Sequence, residues 1–479
     1  YRKLVCSGSL PCEQIGRTEP KTPLCSVAFK YMFHGCRIPH RGQDSFKIYD
    51  PSLHRHCVVA RKGIFFAVDF VDENHDPLPL DVLDSRLEQV VRLADDLVDT
   101  GGVPMLGWLT SSDRDTWADD REALLKNGKL SKMEESLAKL ESGAFLLCLD
   151  DDKPLTTRRR GNSYWHGGVH GANRWFDKSF QIFCSEDGKL GLLGEHSMAD
   201  GMPMVGLSNH ISKTTYASIQ RRCKKLASFN ESSGVELIFD GLCKDSNTSA
   251  TFANSISIAK RVFSDTVDNN ELQVQYYRGY GSDFIKKVGY SPDAYVQMAI
   301  QLATYRLFGK PCATYESTQV RPFLHGRTET TRSVSPASAA FVNRMGLWPM
   351  DEEDYSSAIE EKRQLLNEAA TSHVKYISGA SKGLGVDRHF LGLSMLVKDG
   401  EDSPEMFSNG LFAKSKRWVV STSTLPVCPG FGPVVDDGVG VAYDIQSQSC
   451  VFTVTSRRTT GYSEPLCHYL EEALEEMKN

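Results

Sequence analysis

The chain has 479 residues, 40% of them hydrophobic and 24% charged. That composition excludes a disordered chain, a collagen-like fibre and a coiled-coil rod, and the length exceeds one ordinary domain. Lysine and arginine number 55 against 61 acidic residues, a formal charge of -6, so no global cationic field recruits nucleic acid.

Thirteen cysteines are scattered without a Cys-x-x-Cys pair. An odd count in a long chain reads as buried thiols in a reducing compartment, not as a disulfide framework. No apolar run approaches the ~18 residues that cross a bilayer.

Residues 1–24 are polar and turn-rich. Cys57 to Phe70 (CVVARKGIFFAVDF) has the pattern of a strand, closed by the turn-like Glu73-Asn74-His75-Asp76-Pro77. The spacing of Leu87, Val90, Val91, Leu93 and Leu97 predicts a helix over 80–100, ended by Gly101-Gly102. Gly143 to Leu149 is a short buried strand. Phe180–Phe183 and Leu190–Leu193 flank Glu186-Asp187-Gly188, a hairpin signal. Residues 355–378 are helical, Val434–Tyr443 and Val451–Val454 are strands, and Glu464–Met477 is a closing helix. Strands and helices interleave throughout, which predicts an α/β fold. The least patterned stretch, near 225–255, places a domain boundary at 238/239.

The sharpest local signal is Gly194-Glu195-His196-Ser197-Met198-Ala199-Asp200-Gly201. A histidine at a strand end, beside a carboxylate on an Asp-Gly turn, is placed to act as a general base. Metal ligation is not expected. His54/His56 and His166/His170 have ligand-like spacing, but His166-Gly167-Gly168-Val169-His170 is too glycine-rich for a helix, and no acid stands at His-Glu-x-x-His spacing. Ser378-Gly379-Ala380-Ser381-Lys382-Gly383-Leu384-Gly385 imitates a dinucleotide loop, yet it closes a helical stretch where that loop should follow a strand.

Lys286-Lys287 ahead of Tyr290-Ser291-Pro292-Asp293 offers point charges and a helix start for a phosphate. Thr314-Tyr315-Glu316-Ser317 and the run His325–Ser333 are dense in hydroxyls and charges, more like a polar pocket wall than a core strand. Val419-Val420-Ser421-Thr422-Ser423-Thr424 puts hydroxyls at the end of an apolar strand.

In their order, these segments resemble the carnitine/choline acyltransferase family. The set comprises Asn173–Lys178 (NRWFDK), EHSMADG, the Lys-Lys…Ser-Pro-Asp-Ala segment, Tyr315–Ser317, Gly326–Ser333, Asp387-Arg388-His389, Ser421–Thr424, and Gly432–Val435 followed by Asp437-Gly438. The likeness runs from about Pro23 to Met477. It implies two similar lobes of mixed β-sheet and helices, related to chloramphenicol acetyltransferase, with an active-site tunnel between them. It implies reversible acyl transfer between acyl-coenzyme A and L-carnitine, with coenzyme A as a substrate and no resident cofactor.

The resemblance assigns His196 as catalytic base and Ser423 as oxyanion donor. It assigns Tyr315, Ser317, Thr328 and Arg388 to carnitine, and Lys286, Lys287, Ser291 and Asp293 to coenzyme A, with Glu316 assisting. Arg388 and Thr328-Glu329-Thr330 favour carnitine over choline, because only carnitine carries a carboxylate. Arg61-Lys62-Gly63, Leu109-Thr110-Ser111 with Arg114-Asp115, NRWFDKSF and STSTL point within the family to the mitochondrial long-chain branch, palmitoyltransferase 2. Cys428-Pro429-Gly430-Phe431, without a methionine gate, implies room for a longer acyl chain. A short-chain acetyltransferase and an inactive acyl-binding relative are the alternatives.

Ser282 stands where the family often carries a lysine, and the family's first helices are not matched. The polar Gly16–Thr22 argues against stable membrane association. A mitochondrial monomer is expected; the last four residues, Glu476-Met477-Lys478-Asn479, lack a peroxisomal signal.

Overall fold

The computed structural model describes residues 1–16, 19–99, 104–127, 130–214, 234–240, 246–346, 355–398, 400–425 and 430–479. These form two compact units. One is Tyr1–Cys12 with Ser26–Val267, the other Glu13–Cys25 with Asp268–Asn479. The fold is α/β, with one six-stranded mixed sheet in each unit.

In the first unit, β1 (His56–Arg61) and β2 (Ile64–Asp69) are an antiparallel hairpin. Its turn is Lys62-Gly63, with φ of 51° and 78°; a left-handed pair of this kind matches the twist of the strands. The sequence pattern reads Cys57–Phe70 as one strand, whereas the chain reverses in its middle. Both faces are buried: Val58, Ala60 and Phe65 pack on one side, Val59, Phe66 and Val68 on the other. Both faces are covered, so the strands lack polar alternation, and Arg61-Lys62-Gly63 between the two apolar runs is the break that marks the turn.

Helix α1 (Leu80–Asp99) covers one face through Val90 and Ala94. The other face carries helices α2 (Arg114–Asn127) and α3 (Leu130–Ser142), and Trp117 and Leu137 join the core there. Strand β3 (Leu146–Leu149) lies parallel to β1 and to β4 (Phe180–Cys184). Helix α4 (Thr157–His166) ends at Gly167, φ 81°. Strand β5 (Leu190–Gly194) pairs antiparallel with β4, as the hairpin signal indicates. Helix α5 (Gly201–Ser212) follows, and β6 (Val235–Leu237) edges the sheet beside β2.

The Asn173–Lys178 segment is structural. Arg174 is fully buried, grips Asp150 through two 2.7 Å bonds and lies 4.1 Å over the Phe183 ring. Helix α6 (Ser246–Asp268) sends Phe252, Ala259 and Phe263 into this core. The units therefore divide at 267/268, beyond a helix that the 238/239 boundary assigns to the second lobe.

In the second unit the sheet order is β7 (Asn270–Tyr277), β12 (Cys450–Arg457), β11 (Val439–Ile445), β10 (Val420–Thr424), β8 (Thr314–Gln319), β9 (Thr328–Arg332). Strands β8, β10 and β11 are parallel; the other pairings are antiparallel. The short helix α7 (Ser282–Lys287) leads to α8 (Pro292–Phe308), which starts with proline in its first turn and stops at Gly309, φ 68°. Nearly every residue of α8 is buried, so an apolar stripe could not reveal it. Helix α9 (Pro336–Met345) opens with a Ser335–Ser338 capping box. Helix α10 (Tyr355–Ala380) is closed by the glycine run at Gly379–Gly385, so that run is a helix stop. Helices α11 (Asp387–Met395) and α12 (Ser463–Lys478) complete the elements that concern the site.

Candidate active site

His196 sits on the turn that leaves β5. Its side chain is 76% exposed, and Nδ1 lies 3.7 Å from Asp200 Oδ1. That distance exceeds a hydrogen bond but gives the imidazole an electrostatic orientation. The turn is braced by Glu195, whose carboxylate accepts from Ser197 N at 3.1 Å and from Ser197 Oγ at 2.5 Å. Arg37 Nη1 lies 3.3 Å from Glu195, and Arg37 is itself paired with Asp44. Asp200 occupies the N-cap position of α5 with extended backbone.

The second unit gathers three of the four residues assigned to carnitine. Arg388 Nη2 is 3.3 Å from Tyr315 Oη and 3.5 Å from Thr328 Oγ1; its Nε donates to Thr328 O at 3.1 Å. The guanidinium carbon lies 5.9 Å from the Tyr315 ring centre. Arg388 is exposed, and among the described residues no carboxylate side chain pairs with it. It is positioned by its neighbours. Arg332 on β9 holds Asp387 through bonds of 3.1 and 2.6 Å and stacks on Trp418 at 4.6 Å, and Glu329 Oε1 accepts from Arg388 N at 3.3 Å.

Ser317 pairs with Thr330, two residues along β9 from Thr328. Tyr315 and Ser421 are register partners across β8 and β10, and Ser423 stands two residues further on that face. Tyr315, Ser317, Thr328 and Ser423 therefore share one face of the sheet, and Glu316 and Thr422 point to the other. The segment read as a pocket wall is a pair of strands whose second face is buried.

Lys286 and Lys287 are exposed at the end of α7. Ser291 is the N-cap of α8, and Asp293, in its first turn, accepts from Tyr443 Oη at 2.7 Å. The gate segment falls partly outside the described residues, since Cys428 and Pro429 are not among them. Of the histidines at ligand-like spacing, His56 Nε2 meets Lys139 O at 2.8 Å and His166 Nδ1 accepts from Gly168 N at 2.9 Å; α4 ends at His166, and His170 lies beyond it.

One residue that sequence reading passed over is His373 on α10, 3% exposed, with Nε2 2.6 Å from Glu316 Oε2. Its signal was a histidine inside the buried stripe of Leu366, Ala369 and Ala370.

The family model described as Choline/Carnitine o-acyltransferase matches residues 1–472. The chain belongs to the choline/carnitine O-acyltransferase family. It is therefore an acyltransferase. Mitochondrial carnitine O-acetyltransferase of Saccharomyces cerevisiae is 33% identical over 98% of this chain and 68% of its own length. Carnitine O-acetyltransferase of Mus musculus is 31% identical over 100% of this chain and 75% of its own. Choline O-acetyltransferase of Rattus norvegicus is 33% identical over 95% and 70%.

Among solved structures, a wax ester synthase/diacylglycerol acyltransferase from Marinobacter aquaeolei VT8 matches 63% of this chain and 71% of its own at TM-score 0.30 and 14% identity. A chloramphenicol acetyltransferase matches 43% and 89% at TM-score 0.23 and 10% identity. Within the choline/carnitine acyltransferase family, the acceptor and the acyl chain distinguish one member from another.

Proposed function

We propose that the chain is a carnitine O-acyltransferase that moves medium- and long-chain acyl groups reversibly between coenzyme A and L-carnitine. The observation that carries this reading is the Arg388 guanidinium beside Tyr315 Oη and Thr328 Oγ1. A planar cation with free donors recognises a carboxylate, and among the two acceptors of the family only carnitine has one. Tyr315, Ser317 and Thr328 supply hydroxyls to the same substrate.

Coenzyme A is a substrate, held through its phosphates by Lys286 and Lys287, with Ser291 and Asp293 at the start of α8. His196 takes the proton of the carnitine hydroxyl as that oxygen attacks the thioester carbonyl. Proton removal must accompany attack, because a free alkoxide is too scarce near neutrality. The tetrahedral oxyanion is stabilised by Ser423, a donor of a kind worth roughly 3–4 kcal/mol. The intermediate collapses by breaking the carbon–sulfur bond, and His196 returns the proton to the departing thiolate. No acyl-enzyme is formed.

The longer acyl chain is supported by the STSTL and NRWFDKSF stretches and by a gate segment without methionine. Acetyl transfer is the second reading, favoured by the names of the relatives. The yeast relative's name supports a mitochondrial setting. Thiol release from acetyl-, octanoyl- and palmitoyl-coenzyme A with L-carnitine or choline tests all of this. Octanoyl or palmitoyl turnover above acetyl is expected; faster acetyl turnover moves the assignment to the second reading. Choline preferred over carnitine overturns the acceptor. No turnover with any pair leaves an acyl-binding relative, and turnover surviving in His196→Ala removes the base.

A further inference from the structure

Behind the face that carries Tyr315 and Ser317 lies a buried polar network. Glu316, 1% exposed, takes Ser333 Oγ at 2.8 Å and His373 Nε2 at 2.6 Å on Oε2. Asp293, Glu316 and His373 each bring an atom to within 4.8 Å of the other two. Tyr443 Oη donates to Asp293 Oδ1 at 2.7 Å and accepts from Gln297 Nε2 at 2.9 Å. Gln297 Nε2 also reaches Thr422 Oγ1 at 2.9 Å, and Thr422 Oγ1 donates to Tyr315 O at 2.9 Å. The network thus joins the start of α8, the strands β8, β10 and β11, and helix α10.

We propose that His373 is a positioning residue for acyl transfer: through protons shared with Glu316 and Asp293 it ties the start of α8 to β8, so that coenzyme A and carnitine binding depend together on the protonation of this cluster. The inference rests on the substrate assignments proposed above.

Burying the Glu316 carboxylate within 4.8 Å of the half-buried Asp293 makes its ionisation costly without a compensating proton. Asp293 from α8, Glu316 from β8, His373 from α10 and the phenol of Tyr443 from β11 are the titratable groups that face one another here. Ser333, Gln297 and Thr422 complete the shell without charge. Burial raises the Glu316 carboxyl, and Asp293 pushes the same way against the His373 hydrogen bond. Burial lowers His373, but Glu316 and Asp293 outweigh it and leave the imidazole above its ordinary value. Both groups hold their protons to higher pH than in water. Loss of those protons leaves negative charges facing across the α8–β8 contact. Among the described residues His373 Nδ1 has no hydrogen-bond partner, so the Glu316 bond orients the ring there.

A divalent cation is the competing occupant of such a triad. The Ser333, His373 and Tyr443 contacts already satisfy these carboxylates with hydrogen donors, which favours protons.

The test is calorimetric binding of acetyl-coenzyme A alone and of L-carnitine alone to the full chain from pH 6.5 to 9. Neither measurement involves turnover. The wild type should weaken for both ligands by at least about fivefold above neutral pH. Glu316→Gln, which keeps the shape but removes one carboxylate, should hold both dissociation constants within about twofold across the range. His373→Gln should displace the midpoint.

A flat wild-type profile overturns the proposal whether or not the variants fold. So does an unchanged pH slope in a folded Glu316→Gln, or a loss of binding on EDTA treatment restored by zinc. Binding that follows the proposed pH course while His196→Ala keeps full turnover sinks the catalytic assignment and leaves this one standing.

Discussion

Removal of the Arg388 side chain is the most direct probe of the acceptor. A hydrogen-bonded charge pair of this kind is worth roughly 1.5–3 kcal/mol. Arg388 is exposed, so water screens the pair and the lower half of that range applies, about 2 kcal/mol. At about 1.4 kcal/mol per factor of ten, Arg388→Ala should raise the carnitine KM about 30-fold.

The fold should barely respond. The side chain has three protein bonds, of 3.1, 3.3 and 3.5 Å, all at the surface, and surface changes of this kind stay within about 0.5 kcal/mol. Arg388→Lys keeps the charge and loses the fork, and should fall between the two. The assay is initial-rate kinetics with carnitine and with choline at fixed acyl-coenzyme A, alongside thermal melting. The carnitine KM should rise with kcat nearly unchanged, which marks binding lost equally from ground state and transition state. The choline KM should not rise. Added salt should weaken carnitine binding by the wild type and hardly affect the variant. Equal losses for both acceptors, or a carnitine KM within twofold of the wild type, would refute the carboxylate role.

Arg332→Ala should disturb the same site by a different route. It frees Asp387 and the start of α11, and it should raise the carnitine KM while also lowering the melting temperature, which Arg388→Ala does not. Gly107→Ala would place a Cβ 2.1 Å from Ala172 O and 2.6 Å from Arg174 O, both backbone atoms. It should destabilise by about 3 kcal/mol or prevent folding; a urea midpoint equal to the wild type would contradict the close approach. Asp150→Ala leaves the guanidinium of the fully buried Arg174 without its partner and should cost about 3–5 kcal/mol in urea unfolding.

Acid should destabilise the first unit through His34 and His56. His34 Nε2 accepts from Arg2 Nε at 2.7 Å while Nδ1 meets Ser142 O at 2.8 Å, so the folded state holds the neutral tautomer. Burial pushes His34 down to about 3 and His56 to about 4. Between those values and the ordinary 6.5 the unfolded chain binds more protons, so stability is full above pH 6.5 and falls on acidification. At pH 5 each histidine should account for about 2 kcal/mol of loss; a melting temperature constant from pH 7 to 5 would refute the assignment.

What could be read from the sequence depended on whether one face of an element meets water. The hairpin β4–β5 was legible because Glu186-Asp187-Gly188 breaks two short apolar runs. β1 and β2 turn at Lys62-Gly63, a charged break between two apolar runs that reading Cys57–Phe70 as one strand passed over, and α8, buried around its circumference, announced only its Ser291-Pro292 start. The residues assigned to carnitine lie in ordered motifs, and the strand period explains why Tyr315, Ser317 and Thr328 share a face. Along β8, Tyr315 and Ser317 share a face, so Glu316 between them must point the other way. A carboxylate sent into a core demands partners, and those partners, His373 and Asp293, come from helices 57 and 23 residues away in sequence. Local pattern carries no record of such a pairing. The same alternation divides one polar strand into two faces: one carries the Tyr315 and Ser317 hydroxyls proposed for the substrate, and the other holds Glu316 against His373. A substitution at an odd position of Thr314–Gln319 should change ligand affinity at fixed stability, and one at an even position should change both.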